Sequence, residues 1–333
     1  MRKLTCPACH QSIFFEQISC TNCGVSLIFD PSAFLFRSGH AMPHCANRPL
    51  IGCNWAVNDN GRYCSSCSLT RTIPPLQTER YVFLWRRVEA AKRRLLHDLA
   101  RLKLPLKDED GRKGVAFDIL ADDLGQPVMT GHLDGLITLN LSEADDAMRE
   151  VRRAQFREPY RTLLGHFRHE VGHFYWELLV DGTRLHRSFR FIFGDESVNY
   201  RASIKSYHRR TERDYNHSGF ISEYATSHPW EDWAETWTHY LHIVDSLETA
   251  QAFRLRVDPK AGRIGDLSAE VDFDAYASVP IETIVDAWLP LSFAINSLNR
   301  SMGLKDAYPF VLSPGVIEKL DFVHRTVHGP GRT

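Results

Sequence analysis

Beyond residue 67 the chain has no cysteine: all eight fall within the first 67 residues and the remaining 266 have none. Cysteine-based nucleophilic catalysis therefore has no candidate outside that N-terminal cluster. No apolar run approaches the ~18 residues needed to span a bilayer, so no membrane segment is expected. The opening MRKLTCPAC has two basic residues but no apolar stretch before the first cysteine pair. It does not read as an export signal, and a cytoplasmic location is expected. A phosphate-cradling glycine loop, internal repeats and low-complexity tracts are also missing. Neither sign of charge dominates: 40 Lys and Arg stand against 41 Asp and Glu, a formal net charge of -1. Residues 1 to 105 hold 14 Lys and Arg against 6 Asp and Glu, a surplus of eight. Two four-thiolate zinc centres at about -2 each would halve it, too little to argue for nucleic acid on charge alone.

What is present is an ordinary soluble composition, 43% hydrophobic and 24% charged over 333 residues, long enough for one small and one large domain. The cysteine asymmetry and the stretch Thr72-Ile-Pro-Pro75 divide residues 1–75 from residues 76–333. From Thr78 to about Leu104, Val82, Trp85, Val88, Leu95, Leu99 and Leu102 recur at helical spacing. Residues 76–105 thus hold a long amphipathic helix, and its stripe of Arg86, Arg93, Arg94 and Arg101 reads as a solvated face. Two strand-like runs, Gly114 to Leu120 and Gly135 to Leu141, predict a small sheet, giving an α+β fold. Ser142-x-x-Asp145 has the form of a helix start, and a second helix begins at Pro159.

Cys6, Cys9, Cys20 and Cys23 form two CxxC knuckles ten residues apart, the pattern of a tetrahedral four-cysteine zinc site. Cys45, Cys53, Cys64 and Cys67 form a second set, less regular in its first half. His44 or His40 could replace a cysteine there, and spacing leaves a cross-braced pairing of the two sets open. Four protein ligands leave no position for substrate, so both sites read as structural zinc centres of a double zinc-ribbon module. The ribbons serve as scaffold or protein contact in preference to nucleic-acid contact.

The run Gly165 to His173, GHFRHEVGH, contains HExxH. On a helix His169 and His173 project one turn apart from one face and can share a zinc ion, while Glu170 is placed to take a proton from a water at the metal. Leu163, Leu164, Phe167, Val171 and Phe174 supply a buried face, and Asp181-Gly182 a stop. The third ligand must come from elsewhere. In His228 to His239, HPWEDWAETWTH, Glu231, Glu235 and His239 share a helical face and Asp232 turns about 100° away. Glu231 is assigned to zinc and Glu235 to the hydrogen bond behind a ligand histidine, although the order could be reversed. His166 reads as a solvated or supporting histidine, and His239 and His242 as packing residues.

HEVGH followed by EDWAE resembles the gluzincin metallopeptidases, which use two histidines and a glutamate. CPAC, CTNC, RTIPPL, GHFRHEVGH, HPWEDWAETW and NRSMGL, spread from Cys6 to Leu304, resemble a bacterial family of zinc-binding metallopeptidases with an N-terminal zinc-ribbon domain. That resemblance implies a compact, mostly helical gluzincin-type zincin domain, though family membership alone does not establish a substrate. The ligand sets lead us to expect one catalytic and two structural zinc ions, and the zinc chemistry a peptide or protein substrate. The spacing of the two acids also resembles that of lethal-factor-type enzymes, which implies that Tyr224, seven residues before Glu231, meets the developing oxyanion or the leaving amine. The strand Gly135 to Asn140 stands where zincins place the edge that pairs with an extended peptide. The stretch after residue 245, with Trp288, Leu289 and Ser301 to Leu304, is expected to be helical and to complete the cleft. Two rival readings are an inactive binding or regulatory protein, against which the intact Glu170 argues, and a zinc amidase or deamidase.

Overall fold

The computed structural model describes residues 4–57, 61–122, 128–156, 161–210, 216–260 and 267–329. The chain divides into two compact units, Lys3–Phe167 and Arg168–Thr333. The boundary read from composition near residue 75 falls inside the first unit. The reason is pairing: β5 (Thr70–Thr72), directly after the last cysteine, lies parallel to β6 (Ala116–Leu120) and joins the cysteine-rich segment to the sheet.

In the first unit two short hairpins, β1 (Leu4–Thr5) with β2 (Ser12–Ile13) and β3 (Leu27–Asp30) with β4 (Leu35–Ser38), precede a single turn of helix, α1 (Arg48–Ile51). Their small core is aromatic. Phe15 and Phe29 meet edge to face with centroids 4.9 Å apart, and His97 reaches Phe15, Phe29 and Phe34 from α2 (Glu79–Arg101). Thr78 caps α2 by accepting from the Tyr81 amide at 3.2 Å.

The basic stripe of α2 is only partly solvated, with Arg86 exposed and Arg94 and Arg101 partly so. Arg94 pairs with Glu16 at 2.5 Å, Arg86 donates to the Leu50 carbonyl at 3.2 Å, Arg101 lies over the Phe34 ring at 5.7 Å, and Arg93 is buried. Periodicity identified the polar face, and the cysteine-rich segment meets part of it with the Glu16 carboxylate, the Leu50 carbonyl and the Phe34 ring.

The sheet has the order β5-β6-β8-β7, with β7 (Gly131–Leu133) and β8 (Leu136–Asn140) antiparallel and the other pairs parallel. The expectation of a free edge at Gly135 to Asn140 is corrected here: β8 is flanked on both sides, and β7 takes the edge. Ser142 is not a helix cap either. Asn140 caps a 3-10 turn, and Asp145 accepts from the Ala147 and Met148 amides to start α3 (Asp146–Phe156). Pro159 lies outside the described residues. Thr162 caps α4 (Leu163–Leu179) by accepting from the Gly165 amide at 2.9 Å.

The second unit is helical around α7 (Pro229–Phe253), with α5 (His186–Phe193), α6 (Tyr200–Arg209), α8 (Ile281–Ser301) and α9 (Pro314–Val327). A two-stranded ribbon joins β9 (Arg256–Val257) to β10 (Ala269–Glu270). Trp233, Trp237, Leu241, Val244 and Leu247 bury α7 along its length, and Tyr175 of α4 stacks on Trp237 at 4.9 Å. Gly172 lets the two helices meet: a Cβ there would stand 3.1 Å from the Trp237 ring and 3.3 Å from the Ala234 Cα. Its carbonyl accepts from the Trp233 indole at 2.8 Å. Among the described residues no helix is long and apolar enough to cross a membrane.

Candidate metal centres

The first cysteine set is built from two matched turns. His10 N returns to Cys6 O at 3.0 Å and Gly24 N to Cys20 O at 2.9 Å. Both closing residues are left-handed, with φ 59° at His10 and 73° at Gly24, a conformation that is free for glycine and strained for histidine. Sulfurs meet across the turns, Cys6 with Cys23 and Cys9 with Cys20, each pair at 3.7 Å. A tetrahedron with Zn–S bonds of about 2.3 Å has edges of about 3.8 Å, whereas a disulfide is about 2.05 Å long. The thiols are free and spaced for an ion rather than a bond. The Asn22 amide donates to Cys9 at 3.4 Å and is the main cause drawing that thiol down to about 6.

In the second set, Cys45 and Cys53 flank α1, whose last turn is closed by Gly52 at φ 64°. Cys53 lies 3.6 Å from Cys64 and 3.8 Å from Cys67, and the Cys64 amide donates to Cys45 at 3.4 Å. All four are buried. Each set gathers within itself, which resolves the pairing that spacing had left open, and His44 is bonded to the Gly39 carbonyl at 2.8 Å. Arg93 lies close enough to favour the Cys53 thiolate, so a residue of the basic stripe offsets the charge of this cluster.

The third group lies in the second unit, on the part of α4 after Phe167 and on α7. One atom each of His169, His173 and Glu231 lie within 4.8 Å of one another. Glu231 Oε2 is 2.9 Å from His169 Nε2 and 3.5 Å from His173 Nε2. Behind His169, Nδ1 is 2.8 Å from Glu235 Oε1, and Glu235 Oε2 accepts from the Ser222 hydroxyl at 2.5 Å. Glu231 thus approaches both histidines, while Glu235 is hydrogen-bonded to one of them.

The electrostatics fit a cation. Burial works against charge on the His169 imidazole, but Glu231 and Glu235 outweigh it and hold its pKa well above the ordinary value. Burial would likewise lift Glu231, yet His173 and His169 hold it well below the carboxylate range. A pocket that stabilises positive charge this strongly, with three converging donors, suits a divalent ion. Glu170 is half-buried, its pKa raised by burial against the pull of His169 and His173.

Sequence reasoning missed Tyr200, whose hydroxyl donates to Glu231 Oε1 at 2.7 Å, and Ser222 behind Glu235. Neither stands at a motif spacing. Trp230 packs on the His173 ring at 4.0 Å, and the Tyr224 ring lies 5.9 Å from that of His169. The remaining histidines serve elsewhere: His166 faces Glu143 at 3.4 Å, His239 meets the Tyr308 hydroxyl at 2.9 Å and is drawn to about 4 by burial, and His242 is hydrogen-bonded to Arg168. Asp232 turns away as expected, pairing with Lys319 at 2.6 Å.

Two histidines one turn apart on one helix and a glutamate from another define the class of mononuclear centres with a two-histidine, one-carboxylate ligand set. Comparison with known proteins gives a family. Residues 82–326 match the family described as "Putative zinc-binding metallo-peptidase", and residues 35–78 match a zinc-ribbon domain that takes in the second cysteine set. The chain belongs to this zinc-binding metallopeptidase family. It is 42% identical over 335 residues to "Uncharacterized protein Rv2568c" of Mycobacterium tuberculosis (strain ATCC 25618 / H37Rv), covering 98% of this chain and 95% of that one. The same figures hold for "Uncharacterized protein Mb2598c" of Mycobacterium bovis. No solved structure matches the chain.

Proposed function

We propose that the protein is a zinc-dependent metallopeptidase of the gluzincin type that hydrolyses peptide bonds with Glu170 as general base. The observation that carries this reading is the convergence of His169 and His173 on Glu231 Oε2, with Glu170 beside the first ligand in sequence. A zinc ion held there supplies a Lewis acid and lowers the pKa of a water to near neutrality. Glu170 takes the proton of the attacking water and returns it to the leaving amine, and its burial brings its basicity nearer to neutral pH. Tyr224 is half-buried, and burial with the nearby Glu231 charge keeps its phenol protonated, so it is a donor for the oxyanion. Glu235 and Ser222 fix the His169 ring throughout. Eight thiols spaced for metal rather than disulfides support a reducing compartment, the cytoplasm.

The test is cleavage of a mixed peptide library, followed by mass spectrometry, with Glu170→Gln prepared alongside. Wild type should cut at defined bonds and the variant should not. Equal cleavage at equal rate by both would assign the hydrolysis to a contaminant and leave a binding protein.

A further inference from the structure

Glu231 is 1% exposed, and its two oxygens have different partners. Oε2 faces the two histidines, while Oε1 accepts the Tyr200 hydroxyl at 2.7 Å. Tyr200 is the first residue of α6, whose cap Asn199 accepts from the Ala202 amide at 2.9 Å. Its ring packs on His228 at 5.2 Å and Trp230 at 5.8 Å, in the segment that leads to Glu231. Yet Tyr200 is 39% exposed. Packing alone would be served by phenylalanine; the hydroxyl is what reaches the buried carboxylate.

We infer that Tyr200 is a positioning residue that makes Glu231 a one-oxygen metal ligand. A carboxylate can bind a cation through one oxygen or both. A short O–H···O⁻ bond is among the strong ones and a buried carboxylate oxygen needs a partner, so Oε1 stays with Tyr200 and Oε2 alone is left for the metal. Three protein donor atoms then leave the fourth tetrahedral position open, which is where a catalytic site takes water and substrate. Without the hydroxyl, Oε1 is free to swing onto the metal and occupy that position. The inference rests on His169, His173 and Glu231 holding the metal, as proposed above.

The experiment compares the full-length wild type with Tyr200→Phe. Zinc per chain is measured by elemental analysis, third-site affinity by chelator competition, and geometry by the visible spectrum after cobalt(II) replaces that zinc. Tyr200→Phe should bind the third zinc about 10- to 100-fold more weakly, as loss of a group supporting a ligand does. Its cobalt bands should lose intensity as coordination number rises, with the four-cysteine zincs unchanged. Three zincs in both proteins with equal affinity and identical spectra would overturn the inference. Absence of a third zinc from wild type would overturn it together with the proposed function. Weaker zinc in the variant with no hydrolysis by wild type would leave the positioning role standing and remove the peptidase reading. If Tyr200→Phe fails to fold by circular dichroism, fluorotyrosine at position 200 keeps the ring and alters only the donor; its cobalt spectrum should shift, and an unshifted spectrum overturns the inference.

Discussion

The carboxylates around the third centre differ in what already holds them. Glu231 accepts from Tyr200 and faces His169, and Glu235 holds His169 and Ser222, whereas Glu170 makes no hydrogen bond or ion pair among the described residues. Glu170→Gln is therefore expected to keep both zinc and fold while lowering turnover by at least ~100-fold, the scale of general-base loss. Metal content and rate measured on one preparation check this; an emptied site would show that Glu170 holds metal instead. Glu231→Ala should lose the third zinc, and Glu235→Ala should weaken it by about 10- to 100-fold. If Glu235→Ala empties the site and Glu231→Ala does not, the two roles are exchanged. The histidine pair and the shared face of Glu231 and Glu235 could be read from sequence because helical spacing is itself geometry, but spacing alone left the order of the two glutamates open. Tyr200 could not: it stands 31 residues before Glu231 on a separate short helix, and nothing in its neighbours marks it.

At the scale of elements, the crossing of α4 and α7 depends on Gly172. In Gly172→Ala the added Cβ meets the Trp237 ring and the Ala234 backbone, and the backbone cannot turn aside. Alanine gains up to about 1 kcal/mol in helix propensity, but overpacking costs about 1–3 kcal/mol, so net destabilisation is expected, with weaker third-site zinc as Glu231 withdraws from the histidines. Thermal melting and chelator competition check both; a variant equal to wild type would show that the helices part freely. Helix α2 was legible because its apolar positions recur over many turns, and the start of α7 because Glu231, Glu235 and His239 fall on one face. The edge position of β7 was not, since three residues, Gly131, His132 and Leu133, carry no periodicity. Arg93 was misread for another reason: a charge pattern identifies the polar side of a helix but not what covers it. Arg93→Leu should loosen zinc in the second cysteine set while leaving the first unchanged, which site-resolved chelator release would show.

Across the whole molecule, the three ligand sets share no residue, and purified protein should carry close to three zinc ions per chain; one or fewer from a chelator-free preparation would remove the two-ribbon reading. Acid should act on the second unit through α9. Burial and the neighbouring His324 draw His328 down to about 4, and burial also lowers His324 against the pull of the Val279 carbonyl and Asp321. The Tyr240 hydroxyl faces both rings, at 2.9 and 3.3 Å. Both histidines are neutral in the fold, while unfolded histidine titrates near 6.5. Between about pH 6.5 and 4 the unfolded chain binds protons that the native chain refuses, so stability falls as pH falls through that window. Melting temperature should drop from pH 7 to 4.5, and His328→Gln should lose part of that slope; an unchanged slope would place the acid sensitivity elsewhere.

Exposure separates the two cysteine sets in time. Cys23 is exposed and Cys9 partly so, whereas Cys45, Cys53, Cys64 and Cys67 are all buried. A thiolate site gives up its ion by stepwise replacement of sulfurs, so its exchange rate is set by how soon an incoming ligand reaches the first of them. The N-terminal set should trade zinc with solution faster than its neighbour, giving two exchange phases for isotopically labelled zinc into ribbons that are chemically alike. Mild alkylation should label Cys23 before any cysteine of the second set. Competing metals and oxidants would therefore reach this protein first at the knuckle that Gly24 closes, long before they reach the set buried beside Arg93.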